Sequence, residues 1–153
     1  MTKLTQGPDP NPKKPKIKAP PGACDSHIHL FGPAAKYPFA PDSPYTSREA
    51  LPETFMALQD QLGLSTAVIV SPGGYGRNYT LLADVLTKYP KRFRGVALMR
   101  DDTPSSEFAR LTKLGVRGMR MMSPARFRNV KLCHTAATRQ ITLTTTNHAS
   151  SGR

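Results

Sequence analysis

The sequence predicts an α/β fold built on a parallel sheet, and three observations carry that prediction. Strand-like and helix-like segments alternate through the middle of the chain, in the order strand, long loop, helix, strand, helix, strand, helix, strand. The second strand segment, STAVIVS (65–71), is continuously apolar, as a strand covered on both faces is. Polar residues gather where the strands end. Such an order calls for right-handed crossover units on one sheet.

Residues 23–31, ACDSHIHLF, are the first strand. His27 and His29 stand two apart, so on a strand they share a face. The loop GPAAKYPFAPDSPYTSREALPE is too broken by proline to be helical. Thr46 or Ser47 is expected to cap the helix that follows, with Glu49 as the acid of a capping box. Leu51, Phe55, Leu58 and Leu62 then recur at helical spacing, Pro52 suits a first turn, and Gly63 ends the helix.

STAVIVS (65–71) is a β-branched strand, after which PGGYGRN turns the chain. YTLLADVLTKYP is a second helix with Leu82, Val85, Leu86 and Tyr89 on one side. FRGVALM (93–99) is the third strand, TPSSEFARLTKLG a helix closing on Gly115, and VRGMRMM (116–122) the fourth strand. A doubly wound sheet and a (β/α)8 barrel both begin this way. His27, His29, Ser71 and Arg120 fall at the C-terminal ends of strands, the active face in either architecture. No glycine-rich fingerprint follows the first strand, which counts against a dinucleotide fold.

The formal net charge of +12 is unevenly spread. Residues 1–20 carry +4, residues 21–107 carry −1, and residues 108–153 carry +9 with no acidic side chain. The near-neutral middle, with no recognisable nucleic-acid module beside the basic ends, argues against specific nucleic-acid binding. Residues 1–20 are rich in Pro and Lys and read as a disordered, solvated arm with no secretory hydrophobic stretch. No window is apolar enough for a membrane span. Cys24 and Cys133 have no metal-site spacing and make no disulfide framework. The expected setting is soluble and cytoplasmic. Residues 131–153 hold six Thr, no acid and no periodic apolar face, and they read either as a disordered tail or, the favoured reading, as a non-native reading frame appended to a true sequence.

Four stretches, GACDSHIHLFGPAAKYPFAP, AVIVSPGGYGRN, RFRGVALM and LGVRGMR, resemble in order and spacing the amidohydrolase superfamily. The branch they resemble contains 2-pyrone-4,6-dicarboxylate lactonase and related sugar-lactone hydrolases. The likeness spans about residues 21–128, so 21–130 is expected to be one domain. It implies the first half of a (β/α)8 barrel, with about four parallel strands, three helices and disordered ends. It implies a hydrolase that opens an anionic cyclic ester by attack of water, with a decarboxylase of the same superfamily or a truncated, non-catalytic product as alternatives. His27 and His29 resemble the paired strand-one histidines and are the expected catalytic residues.

In most of the superfamily such a pair binds a divalent metal such as zinc. The pyrone-dicarboxylate branch works without one, so the resemblance implies no cofactor, or His27 and His29 as metal ligands under the wider pattern. Arg120 and Arg126 resemble carboxylate anchors and Tyr45 a substrate contact; guanidinium suits a dicarboxylate because it offers two parallel hydrogen bonds. Gly73 and Met122 depart from the family pattern, which bears on the exact substrate. Nothing after Arg128 resembles the family's later-strand site residues, so the chain is expected to be inactive alone and to self-associate through open sheet edges.

Overall fold

In the computed structural model, which describes residues 3–99, 103–121 and 142–144, the first elements are β1 (Lys3–Thr5), β2 (Cys24–Ile28), β3 (Tyr45–Ser47) and α1 (Pro52–Leu62). There follow β4 (Thr66–Val70), a 3-10 turn (Gly73–Tyr75), α2 (Thr80–Lys88), β5 (Phe93–Leu98), α3 (Ser105–Leu114), β6 (Val116–Arg120) and β7 (Thr142–Thr144). Among the described residues the main sheet runs β2-β4-β5-β6-β7, every pair parallel. Each strand lies beside its predecessor in the sheet, the progression of a barrel and not the reversed order of a doubly wound fold.

All three helices cover one face. Phe55 and Met56 of α1, Leu82, Val85 and Leu86 of α2, and Phe108 and Leu111 of α3 pack with Ile28, Ala67, Ile69, Phe93, Ala97 and Val116 of the sheet. Because side chains alternate, Val68, Val70, Val96 and Leu98 point to the opposite face. An incomplete barrel leads one to expect Val68, Val70 and Val96 to lack an opposing wall. Val70 is instead buried, at 5% exposure, while Val68 and Val96 are half-buried.

Three local expectations change. Thr46 and Ser47 do not cap α1: they lie in β3, and α1 starts at Pro52 with Leu51 as its extended N-cap and no side-chain cap bond. Proline at the first helical position needs no N–H partner and brings a helical φ, which makes a side-chain cap dispensable. The arm is not wholly without structure, since Lys3–Thr5 pairs parallel with Tyr45–Ser47. In the tail, Thr142–Thr144 pairs with β6, which fits the β-propensity of its β-branched threonines. Otherwise 131–153 lies outside the described residues. No helix among the described residues is long and apolar enough to cross a membrane.

The helix ends follow their glycines. Gly63 closes α1 at φ 79° and Gly115 closes α3 at φ 108°, a left-handed region where a side chain would clash with its own backbone. The most buried residue of α1 is polar. Gln59 is fully buried, and its Oε1 accepts from Arg92 Nη2 at 3.2 Å. Among the described residues Gln59 Nε2 and Arg92 Nε find no hydrogen-bond partner.

Two substitutions test this packing. A Cβ on Gly32 would sit 2.2 Å from Tyr37 Cδ2, so Gly32→Ala must displace a buried ring whose hydroxyl donates to Asp84. It is expected to cost about 1–3 kcal/mol, and Leu86→Ala, in the fully buried centre, about 2–5 kcal/mol. Urea unfolding of the variants measures both; unchanged midpoints would show that the contacts do not hold in solution.

Candidate functional site

The pairing of β2 with β4 is irregular where the histidines begin. Asp25 lies opposite Ala67 and Ile28 opposite Ile69, so β2 takes one more step than β4 across Ser26 and His27. Such a bulge re-aims side chains and interrupts the ladder. Asp25 Oδ1 accepts the His27 N–H at 3.0 Å, fixing the backbone at the irregularity. The His27 and His29 rings meet edge to face, centroids 5.0 Å apart.

His29 Nδ1 lies 2.7 Å from Val70 O at the end of β4. A carbonyl oxygen only accepts, so Nδ1 carries the proton and Nε2 presents a lone pair. Burial of the ring pushes the His29 pKa below its ordinary value of 6.5, against the opposing pull of the Val70 carbonyl. The His27 and Arg120 charges add to the depression. His29 is therefore a neutral acceptor at pH 7.

Arg120 closes β6, and its Nη1 donates to Ser71 O at 3.4 Å. Ser71 is buried, its N–H donating to Val96 O at 2.8 Å, and Met99 N–H donates to Arg120 O at 3.0 Å. The ends of β2, β4 and β6 thus bring together a neutral imidazole and a guanidinium that, among the described residues, donates only to Ser71 O. That combination suits an anion whose neighbouring atoms can offer a proton to Nε2.

Among the described residues, Tyr45 connects to the histidines through other rings. Its hydroxyl accepts the Gly74 N–H at 3.0 Å, and its ring stands edge-on to Phe39 at 6.5 Å. Phe39 stacks on Tyr75 at 5.0 Å and on Phe31 at 6.0 Å, and Phe31 meets His29 at 6.5 Å. Tyr75, whose hydroxyl accepts the Gly32 N–H at 3.1 Å, is buried, which pushes its pKa up. This aromatic tier, with the Val70 and Ser71 carbonyls, is what sequence reasoning missed. One signal was available in SPGGYG: a Cβ on Gly74 would lie 2.9 Å from Phe39 Cδ1, so a ring must cover that glycine. Arg126 lies outside the described residues.

His27 and His29 are the two metal donors that the wider superfamily pattern would use. Zinc takes three or four protein ligands, and among the described residues no group of three or more His, Cys, Asp or Glu could hold a metal ion. A small cavity lies beside Leu30, Ile69, Ser71, Tyr75, Leu82 and Val85, and none of His27, His29 or Arg120 lines it.

Comparison with known proteins bears on the same region. An amidohydrolase family model matches residues 24–130. The chain is similar to a 2-pyrone-4,6-dicarboxylate hydrolase from Comamonas testosteroni, 37% identical over 110 residues, covering 72% of this chain and 36% of that protein. A 4-sulfomuconolactone hydrolase from Rhizobium radiobacter is 32% identical over 115 residues, covering 75% and 38%. The chain therefore spans a little over a third of the length of these curated relatives. Among solved structures, a probable 2-pyrone-4,6-dicarboxylic acid hydrolase from Acinetobacter baumannii with citric acid bound is 24% identical, TM-score 0.59, covering 64% of this chain and 36% of that one. An Agrobacterium tumefaciens protein is 23% identical, TM-score 0.62, covering 69% and 38%. At these identities the two structures bear on the fold alone.

The state of His29 is testable by NMR titration of the imidazole protons, where it should titrate below 6.5. The unfolded chain then binds more protons than the folded one in acid, so this group's contribution to stability falls as pH drops from 6.5 towards its folded pKa. His29→Gln should flatten that part of the stability–pH curve. A His29 titrating at or above 6.5 would contradict the assigned burial and tautomer.

Proposed function

The chain belongs to the amidohydrolase family, and from that premise we propose that it carries the first strand-end part of the site of a lactone hydrolase acting on an anionic cyclic ester of the pyrone-dicarboxylate class. The observation that carries this reading is the placement of Arg120 among the charges acting on a neutral His29 at nearby strand ends. In this reading Arg120 holds a substrate carboxylate through two guanidinium N–H groups, with Arg126 as a second anchor. The names of the curated relatives, a pyrone-dicarboxylate hydrolase and a sulfomuconolactone hydrolase, support an anionic lactone as the substrate class.

In the reaction, water adds to the lactone carbonyl carbon and the ring C–O bond breaks. The ring oxygen takes one proton, and the new acid loses another. His29, with Nδ1–H committed to Val70, can take a hydrogen bond or a proton at Nε2 but cannot donate to the carbonyl while neutral. Polarisation of the carbonyl falls to His27, whose ring nitrogens are not committed to a hydrogen bond among the described residues. Tyr45, accepting from Gly74, keeps its own O–H proton to donate.

Binding is the direct test. The chain should show saturable shifts with 2-pyrone-4,6-dicarboxylate, and Arg120→Met should weaken that binding by about ten- to a hundredfold, the equivalent of a charge-assisted hydrogen bond. Arg120→Lys should recover part of the loss, since lysine restores the charge without the fork. Equal affinity in all three proteins would remove Arg120 from the site.

A further inference from the structure

The N-terminal arm touches the candidate site at second hand. It is pinned at its inner end, where Ala19 N–H donates to Leu62 O at 2.8 Å and Ser65 N–H donates to Ala23 O at 2.9 Å. Leu62 and Ser65 flank the turn before β4, at the N-terminal end of the sheet, the end away from the histidines. At its outer end the arm is a strand again. Lys3, Leu4 and Thr5 pair in register with Tyr45, Thr46 and Ser47, in the loop that leaves the strand end bearing the histidines. Gly7 continues beside that loop, since a Cβ there would lie 3.0 Å from Arg48 Cβ. The stretch between, residues 6–18, carries no helix or strand and joins these two attachment points.

We propose that β1 is a strap: it holds the Tyr45 loop down on the Gly73–Tyr75 turn and so sets the aromatic wall beside His29. Three contacts transmit the hold. Tyr45 Oη accepts the Gly74 N–H at 3.0 Å, Ala40 N–H donates to Gly74 O at 2.8 Å, and Ser43 Oγ donates to Tyr45 O at 2.6 Å. Phe39, between Ala40 and the turn, stacks on Tyr75 and Phe31, and Phe31 meets His29. Residues 3–5 are therefore positioning residues, acting through Tyr45 and Phe39 and touching no reacting atom.

The strap is built to come off. A three-residue parallel pair separate from the main sheet is a small unit, and Leu4 is 57% exposed, so little apolar burial ties it down. Its loss leaves the packed core of the sheet and helices untouched, because none of residues 3–7 belongs to it.

Hydrogen exchange of the full chain tests the proposal. Leu4→Pro removes a strand N–H, so amides of residues 45–47 and of Gly74 should exchange about fivefold faster or more, while the thermal midpoint stays put and Leu4→Val, which keeps the strand, matches the parent. A peptide of residues 1–8, added to a chain lacking them, should restore protection by adding itself as a strand. Unchanged exchange in Leu4→Pro, or no rescue by the peptide, overturns the strap. The ligand measurement rests on the proposed function and reads a separate signal. If the intact chain binds 2-pyrone-4,6-dicarboxylate, Leu4→Pro should weaken that binding, and equal affinity overturns the positioning role. If the intact chain binds none, the functional reading fails and the exchange data alone judge the strap.

Discussion

The candidate site hangs on one hydrogen bond, from His29 Nδ1–H to Val70 O at 2.7 Å. It spans the pairing of β2 with β4 just beyond the point where the backbone register shifts between Asp25 and Ile28. A side chain there does the joining that the ladder performs elsewhere. The same bond selects the tautomer, orients the ring, and leaves Nε2 as an acceptor. Because Val70 is the last residue of β4, the imidazole is located relative to the sheet itself rather than to a loop. Arg120 is located the same way, on the last residue of β6 with its guanidinium over the Ser71 carbonyl.

Around these fixed points lies a layer that is local in sequence but held from afar. The loop after β2 folds over the turn after β4 through ring stacking and backbone bonds, and glycines at 32 and 74 make room for the Tyr37 and Phe39 rings. Polar and aromatic contacts of this kind fix geometry more than they add stability. The ion pairs nearby, Lys36 with Asp84 and Lys88 with Glu53, are exposed and contribute little.

Much of the fold was legible because its signals are local. Leu82, Val85 and Leu86 recur at helical spacing and are buried, and the apolar run through Val70 is a strand of the main sheet. Gly63 and Gly115 mark helix ends that the structure confirms with left-handed dihedrals. The misreadings are long-range. Thr46 and Ser47 have the chemistry of a cap, and only a partner forty residues upstream makes them a strand. Gln59, outside the apolar set Leu51, Phe55, Leu58 and Leu62 that the helical spacing picks out, is buried with Arg92 donating to it from the turn before β5. For the candidate site, His27, His29 and Arg120 were legible as strand-end residues. Which nitrogen of His29 is free was not, since that depends on a carbonyl brought in by a different strand.

The sequential strand order also has a meaning for synthesis. In β2-β4-β5-β6 each strand pairs with the main-sheet strand made just before it, and α2 and α3 pack on β5 and β6, the strands that follow them. Within that series no strand has to wait for a distant partner or be inserted between two that are already joined. As the chain leaves the ribosome, each β-α-β unit can dock on finished sheet, so the search at every step is confined to a few tens of residues. The sheet is in that sense assembled in the direction of translation, with the histidine strand laid down first as the template for the rest.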